Sequence, residues 1–284
     1  MFQPDLLKGK RILVTGGGTG LGRSMAHRYL ELGANVIICG RREDVLKETA
    51  AELAQETGGE IETVGCDVRV PDAVEAMMDK IWEKRPLDIL VNNAAGQILA
   101  QTHKMSSRAI DAVLGIVLHG SAYCTVSAGR RWIEAGERNK VVMSILTVSS
   151  LTGAPFTVPS AMAKAGVLAM TKSLAVEWGP KGIRTCAIVP GPFPTEGAWS
   201  RLMPKERGGQ DEMIKAIPMR RTGEHIELAN LAAFLVSDGA AYINGDAIVI
   251  DGGKMLQSGG GGANTSAMLD WTDEQWDALR PKKK

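Results

Sequence analysis

The sequence predicts a single α/β domain in which a parallel sheet of seven strands carries helices on both faces. Short runs of β-branched apolar residues alternate with longer segments whose apolar residues recur at helical spacing. With 284 residues, 44% of them hydrophobic, the chain can bury one large core. The expected strands are Arg11–Thr15, Asn35–Cys39, Ile61–Cys66, Ile89–Asn92, Val141–Val148, Arg184–Val189 and Ala247–Ile250. The expected helices cover residues 21–33, 43–57, 71–84, 107–134, 160–179 and 225–237.

The domain is expected to span residues 1–257. Within it, residues 192–222 are rich in turn-forming residues and follow the carboxyl end of a strand, where a substrate lid would lie. A glycine run then leads into a tail, so that residues 258–284 form a linker and tail. Thr272 and Gln275 have the spacing of a capping box for a short helix there.

Composition gives no reason to expect a nucleic-acid or membrane partner, because the formal net charge is only +1. No uninterrupted run of about 18 apolar residues occurs. The first ten residues lack the pattern of a targeting segment, so we expect a cytoplasmic protein. Cys39, Cys66, Cys124 and Cys186 are widely spaced, which favours reduced buried thiols over disulfides or a metal site.

A glycine-rich turn, Thr15–Gly22, joins the first strand to the first helix. Its glycines allow a tight turn, close approach of the backbone to a pyrophosphate, and packing of helix on sheet. The start of the helix adds unpaired N–H groups and a positive dipole end. A structural turn is the alternative, but the flanking strand and helix favour a dinucleotide site of the Rossmann type. The residues expected to contact the cofactor here are Gly16, Thr19, Gly20, Leu21 and Gly22.

The end of the second strand indicates which dinucleotide binds. Folds that bind NAD place an acidic residue there for the ribose hydroxyls. This chain has Arg41 and Arg42 instead, and two guanidinium groups can hold a 2′-phosphate through charge-assisted hydrogen bonds. A pair of solvated surface arginines is the alternative. The sequence therefore favours NADPH.

These features, with four further motifs in the expected order, resemble the short-chain dehydrogenase/reductase superfamily. The motifs are Cys66-Asp67-Val68, Asn92-Asn93-Ala94-Ala95-Gly96, Pro190-Gly191 and Asp251-Gly252-Gly253. The resemblance implies that Asp67 contacts the adenine. It also implies further cofactor contacts at Val68, Asn93, Ala94, Pro190 and Gly191.

The catalytic motif departs from the superfamily pattern. Members that reduce ketones have Tyr-x-x-x-Lys on one helix, whereas this chain has Ser160 and Lys164. An aliphatic hydroxyl is a much weaker acid than a phenol. The same substitution is found in the 2,4-dienoyl-CoA reductases, which this chain also resembles in VPSAMAKAGV, AVEWGP and PGPFPTEGAWSRL.

That resemblance implies roles for several residues. Lys164 would bridge the hydroxyls of the nicotinamide ribose, and Ser160 would contact the nicotinamide or the ribose region. Arg69 and Arg201 would bind the phosphates of an acyl-CoA, although surface ion pairs are their alternative. Trp199 lies in the segment expected to shape the acyl slot.

Two positions whose side chains would polarise the substrate differ from those of the dienoyl-CoA reductases. Ser149 stands where the mitochondrial type has tyrosine, and Gln97 replaces the asparagine that helps to hold the thioester oxygen. The expected activity is reduction of a conjugated acyl-CoA, with Gln97 and Ser149 as donors to the substrate oxygen.

Two other functions remain open. One is carbonyl reduction or alcohol oxidation, in which Ser149, Ser150 or His119 would donate or accept the proton. The other is a protein that binds NADPH and has diverged to lyase or sensor chemistry. The apolar stripes of the long helices, and the superfamily resemblance, imply a homotetramer; internal core is the alternative.

Overall fold

All seven expected strands form one parallel sheet in the computed structural model, which describes residues 2–195, 209–259 and 265–279. The order across the sheet is β3-β2-β1-β4-β5-β6-β7, and every neighbouring pair is parallel. The strands are β1 Arg11–Thr15, β2 Asn35–Gly40, β3 Ile61–Gly65, β4 Ile89–Asn92, β5 Lys140–Ile145, β6 Ile183–Pro190 and β7 Ala247–Ile250.

Helices cover both faces of this sheet. They are α1 Gly20–Glu31, α2 Glu43–Thr57, α3 Pro71–Lys84, α4 Ser107–Leu114, α5 Gly120–Glu134, α6 Ser149–Thr152, α7 Val158–Trp178, α8 Gly209–Lys215, α9 His225–Val236, α10 Lys254–Gly259 and α11 Asp273–Asp277. Successive residues of a strand point to opposite faces. Ile12 and Val14 accordingly join the core under α1 and α9, whereas Leu13 joins the core under α3 and α5. The predicted fold class is confirmed.

The strand order reverses between β1 and β4, and this reversal positions the site. The chain builds β2 and β3 on one side of β1, then returns to place β4 to β7 on the other side. Loops that leave the carboxyl ends of β1 and β4 therefore diverge, and a crevice opens between them. The glycine-rich turn and the Asn92–Gly96 turn both lie at this crevice.

The helix predicted over residues 107–134 is interrupted, which corrects the prediction of one continuous helix. A π-helical turn, Gly115–His119, separates α4 from α5. Packing explains the position of the irregular turn: a side chain at Gly120 would meet Val68, and Leu118 fills the space above Gly166. These tertiary contacts override the helical periodicity of the sequence.

The strand predicted over Val141–Val148 ends earlier, at Ile145. The following hydroxyl residues bond to their own backbone, since the Ser150 hydroxyl donates to Thr147 O at 2.6 Å. Such local bonds compete with the sheet ladder. A short helix, α6, forms instead and turns Ser149 toward the cleft.

Within the helical stretch Ser107–Glu134, the most apolar window of 18 residues has a mean hydropathy of 1.5, enough to cross a membrane by length and composition alone. It nevertheless packs on α3, α7 and the sheet, and Cys124 and Trp132 are fully buried in that core. A core helix passes the same test, so the finding is weak evidence for a membrane. One third of the most apolar window is buried, and the homotetramer that would cover the rest stays a prediction.

The predicted capping box of the tail is confirmed. Gln275 N donates to Thr272 Oγ1, and Thr272 N donates to Gln275 Oε1 at 2.8 Å.

Candidate active site

A cleft of about 990 Å³ lies across the carboxyl ends of the strands. Its walls come from the turn after β1, the ends of β2 and β3, and the segments that follow β4, β5, β6 and β7. Of the residues predicted from sequence, those that line it are Gly16, Thr19, Gly20, Leu21, Gly22, Arg41, Arg42, Asp67, Val68, Asn93, Ala94, Ser149, Lys164, Pro190 and Gly191.

The glycine-rich turn brings backbone N–H groups close to the cleft. Gly16 and Gly20 have φ angles of 65° and 55°, a region that residues with a Cβ rarely adopt. At Gly22 an added Cβ would lie 2.5 Å from Gly16 O, so the helix can approach the turn only with glycine. Thr19 precedes α1 without capping it through its side chain, and the first turn of α1 contains no acidic residue. The N–H groups at this helix start therefore suit an anion.

The Asn93 turn supports this loop from the β4 side. Asn93 Nδ2 donates to Thr15 O at 2.9 Å and to Gly16 O at 3.2 Å. In return, Thr15 Oγ1 accepts hydrogen bonds from the backbone N–H groups of Asn93 and Ala94, both at 3.0 Å. The amide of Asn93 is thus engaged in holding the loop, and the cofactor contact predicted for this residue stays a prediction.

The end of the cleft formed by β2 and β3 is basic, and it contains a carboxylate that is hydrogen-bonded to an arginine. Arg41 and Arg42 are exposed at the end of β2. Arg69 donates to both carboxylate oxygens of Asp67, over distances of 2.5 to 3.0 Å. These hydrogen bonds, with Arg41 nearby, hold the pKa of Asp67 below its ordinary value. Arg69 itself is exposed and does not line the described cleft, so the phosphate contact predicted for it would compete with Asp67.

The other end of the cleft contains a buried lysine. Lys164, on α7, is 4% exposed, and its Nζ donates a hydrogen bond to Ile145 O. Burial lowers the pKa of Lys164 to about 8. Desolvation acts in this direction because it penalises the charged form of the side chain.

Two hydroxyl groups border the cleft just after β5, at the same end as Lys164. Ser149 Oγ and Thr147 Oγ1 are 2.5 Å apart and both residues line the cleft. One hydroxyl of such a pair donates to the other, which leaves the second hydrogen available to a substrate oxygen.

Some predicted residues are not brought to the cleft. Ser160 is buried on α7 and Gln97 is exposed after β4, and neither borders the described cleft. Trp199 and Arg201 lie outside the described residues. His119 is exposed, with its ring centroid 6.0 Å from that of Tyr123, and does not border the described cleft either.

Sequence reasoning missed several wall residues. Thr147, two residues before Ser149, could have been found from its hydroxyl and its position after β5. Phe193 and Met213 belong to the predicted lid, whereas Met255 follows β7. Phe193 and Met213 are each 8% exposed. Nothing in the sequence pairs them, because only the fold brings residues 193, 213 and 255 together.

The pKa of Lys164 predicts an alkaline limit to activity. Its folded-state value, about 8, is below the ordinary 10.5, so the ammonium is lost as pH rises through about 8. If the charged form is the active one, kcat/KM, which reports the free enzyme, falls above that pH. A pH series of initial rates checks this. A constant kcat/KM up to about pH 10, where an ordinary lysine titrates, would contradict it.

Comparison with known proteins gives a consistent family. A family model described as enoyl-(acyl carrier protein) reductase matches residues 16–254. An uncharacterized oxidoreductase of Caenorhabditis elegans is 45% identical over 278 residues, 96% of this chain and 88% of that protein. The probable 2,4-dienoyl-CoA reductase 3, (3E)-enoyl-CoA-producing, of the same organism is 43% identical over 97% of this chain and 90% of that protein. The probable (2E)-enoyl-CoA-producing 2,4-dienoyl-CoA reductase of Bacillus subtilis is 40% identical, over 87% and 97%.

Solved structures agree with the fold. A putative short-chain alcohol dehydrogenase from Sinorhizobium meliloti superposes with a TM-score of 0.83 at 34% identity, covering 89% of this chain and 99% of that chain. A putative NAD(P)-dependent gluconate 5-dehydrogenase from Beutenbergia cavernae, with NADP bound at low occupancy, also has a TM-score of 0.83. It is 30% identical and covers 89% of this chain and 100% of that chain.

Proposed function

The chain belongs to the short-chain dehydrogenase/reductase family and is an oxidoreductase by that membership; from this premise we propose that it uses NADPH to reduce a conjugated acyl-CoA of the 2,4-dienoyl type. The named activities of the relatives from Caenorhabditis elegans and Bacillus subtilis support the substrate class. The NADP in one structural neighbour supports the choice of cofactor.

The observation that carries the proposal is a cleft with a buried lysine and no phenol. The chain has three tyrosines. Tyr29 is fully buried in the core, Tyr123 is half-buried beside His119, and Tyr242 is fully exposed. None of them borders the cleft as the described residues form it. Reduction of a ketone needs an acid at the carbonyl oxygen. In conjugate reduction the carbonyl survives: hydride adds to a chain carbon, donors stabilise the negative charge that develops on the thioester oxygen, and a proton from water then adds to another carbon of the acyl chain.

The cleft suits NADPH along its whole length. The uncapped start of α1 and the glycine-rich turn would hold the pyrophosphate. Arg41 and Arg42 would hold the 2′-phosphate, and Lys164 would contact the nicotinamide ribose. When bound there, NADPH supplies the hydride.

The protein's own groups then stabilise the charge that develops on the substrate. Thr147 and Ser149 offer a hydroxyl hydrogen to the thioester oxygen, and the ammonium of Lys164 supplies positive charge in the same half of the cleft. The apolar side chains of Phe193, Met213 and Met255 exclude water around the acyl chain.

His119 does not favour the carbonyl-reductase alternative. The ring lies against Tyr123 and borders no described part of the cleft. A proton donor has to come within hydrogen-bond reach of the substrate, and nothing in the described structure brings His119 to the wall of the cleft.

Loss of the Ser149 hydroxyl is expected to slow turnover. In Ser149→Ala, Thr147 loses the hydroxyl that orients it, so the hydrogen offered to the substrate oxygen is no longer held in place, and kcat should fall about tenfold or more with little change in KM. Steady-state kinetics with a dienoyl-CoA measures this. Thr152→Ala, which removes another cleft hydroxyl that bonds to Val148 O and Gly153 O, is the matched control and should retain most of kcat.

The proposed function is tested by NADPH consumption with three thioesters. A short 2,4-dienoyl-CoA, crotonyl-CoA and acetoacetyl-CoA are compared at equal concentration. The proposal expects oxidation with the dienoyl-CoA and much slower rates with the other two. Consumption only with acetoacetyl-CoA would favour carbonyl reduction. Tight binding of NADPH without consumption by any thioester would favour lyase or sensor chemistry.

A further inference from the structure

We infer that His225 is a positioning residue that fixes one wall of the cleft to the phosphate-binding turn. The wall is the segment Pro192–Thr195, called the strap below. The inference rests on the proposed function in one respect only, namely that a nicotinamide dinucleotide binds at this turn.

The imidazole of His225 makes a hydrogen bond from each ring nitrogen, to two different elements. His225 Nε2 lies 2.6 Å from Pro194 O, in the strap. His225 Nδ1 lies 2.8 Å from Ser24 Oγ, on α1. Ser24 Oγ in turn lies 3.1 Å from Gly20 O, in the phosphate-binding turn. One side chain thus connects the strap to the cofactor loop.

The direction of these hydrogen bonds follows from their partners. A carbonyl oxygen only accepts, so the proton of the Pro194 contact is on Nε2. With that tautomer of the neutral ring, the Ser24 hydroxyl donates to Nδ1. With both nitrogens protonated, Nδ1 donates to Ser24, and the hydroxyl donates to Gly20 O. Either form holds the strap through Nε2 and reaches α1 through Ser24, whereas the further hydrogen bond from Ser24 to Gly20 O forms only when Nδ1 is the donor.

The strap is part of the cofactor and substrate cleft, so its position matters to both ligands. Phe193 and Thr195 line the cleft. Thr195 lies against Gly20, since a Cβ at Gly20 would be 3.3 Å from its methyl group. Phe193 packs on Gly223, and Gly223 N donates to Pro192 O at 3.0 Å. His225 holds the end of the strap that lies over the cofactor turn.

His225 is not needed to form the helix on which it lies. It is the first residue of α9, and the start of α9 is capped by Glu224 and Glu227 in a reciprocal capping box. Glu227 is also paired with Arg221 at 2.6 Å. The imidazole is therefore available to hold the strap rather than to cap the helix.

The chain offers a matched control farther along the same pair of helices. Arg28 Nε, on α1, donates to Asn230 Oδ1, on α9, at 2.8 Å and with partial burial like the Ser24–His225 contact. Neither residue touches the strap or lines the cleft. Asn230→Ala removes an α1–α9 hydrogen bond without disturbing the cofactor turn.

The test compares His225→Ala, His225→Gln and Asn230→Ala with the wild type. Equilibrium binding of NADPH, or of NADH if the wild-type protein binds that cofactor more tightly, gives Kd. Thermal unfolding of each variant gives Tm. Loss of the strap contact in His225→Ala is expected to raise Kd about fivefold, the effect of one hydrogen bond. The glutamine amide can donate to Pro194 O, so His225→Gln should recover at least half of the lost affinity. Asn230→Ala should lower Tm about as much as His225→Ala does. It should leave the Kd for the cofactor within about twofold of wild type.

Two results would overturn the inference: an unchanged Kd in His225→Ala, or an equal rise of Kd in Asn230→Ala, which would indicate a general effect of stability. If His225→Ala does not fold, Ser24→Ala replaces it: this variant keeps the strap contact but breaks the hydrogen bond from the imidazole to α1, so an unchanged Kd there would contradict the link to the phosphate-binding turn. The readout uses the cofactor alone. Failure to reduce any dienoyl-CoA would therefore overturn the proposed function without affecting this test.

Discussion

Lys164→Met is expected to lower kcat/KM for NADPH-dependent reduction by about 100-fold or more, the range seen when one preorganised group that stabilises developing charge is removed. Lys164 is the buried cation in the reactive half of the cleft. Methionine fills a similar volume without charge or donor. Steady-state kinetics with saturating cofactor measures the loss.

Thermal unfolding distinguishes this role from a structural one. Lys164 is buried with one hydrogen bond, to Ile145 O, and its lowered pKa indicates that burial penalises the ammonium. Replacing it with an apolar side chain should leave Tm unchanged or raise it. Lys164→Arg should not restore activity, because the planar guanidinium does not substitute for a compact ammonium. A Lys164→Met protein that retains more than about a tenth of kcat/KM would contradict a catalytic role.

The double variant Arg41→Ala/Arg42→Ala is expected to weaken NADPH binding by about 100-fold, because each charge-assisted hydrogen bond to the 2′-phosphate contributes about 1.5–3 kcal/mol. NADH has no 2′-phosphate, so its Kd should change by less than about threefold. The ratio of the two dissociation constants, measured by titration, is the quantity that tests the assignment.

Arg23→Ala provides the matched control for this change. Arg23 is a partly exposed arginine of α1 that pairs with Glu52 and Glu56, and it does not line the cleft. Its loss should leave the ratio of NADPH to NADH affinity as in the wild type. Equal weakening of both cofactors in the Arg41/Arg42 variant would contradict the 2′-phosphate assignment and indicate a general electrostatic effect.

The predictable parts of the fold were those set by local pattern. β1, β4 and β7 have the bounds predicted from their apolar runs. The glycine-rich turn was predictable because the positive φ angles at Gly16 and Gly20 and the close approach at Gly22 each require glycine.

The parts that could not be predicted depend on contacts between distant segments. The π-helical turn Gly115–His119 sits where Val68 and Gly166 pack against its neighbours, and neither contact is visible in a helical periodicity. The early end of β5 came from hydroxyl bonds to the local backbone. The bidentate ion pair between Arg69 and Asp67 was not predicted either. The resemblance implied an adenine contact for Asp67 and a contact with acyl-CoA phosphates for Arg69.

Conjugate reduction, in a cleft that no tyrosine borders among the described residues, fixes where the hydride goes. A single turnover of the wild-type protein with a 2,4-dienoyl-CoA and NADPH deuterated at the transferable position, followed by mass and NMR analysis of the product, locates it. We expect a thioester with an intact carbonyl, one carbon–carbon double bond fewer and one deuterium on a carbon of the acyl chain. Deuterium on a newly formed carbinol carbon, or no transfer to any acyl-CoA by a protein that binds NADPH, would contradict it.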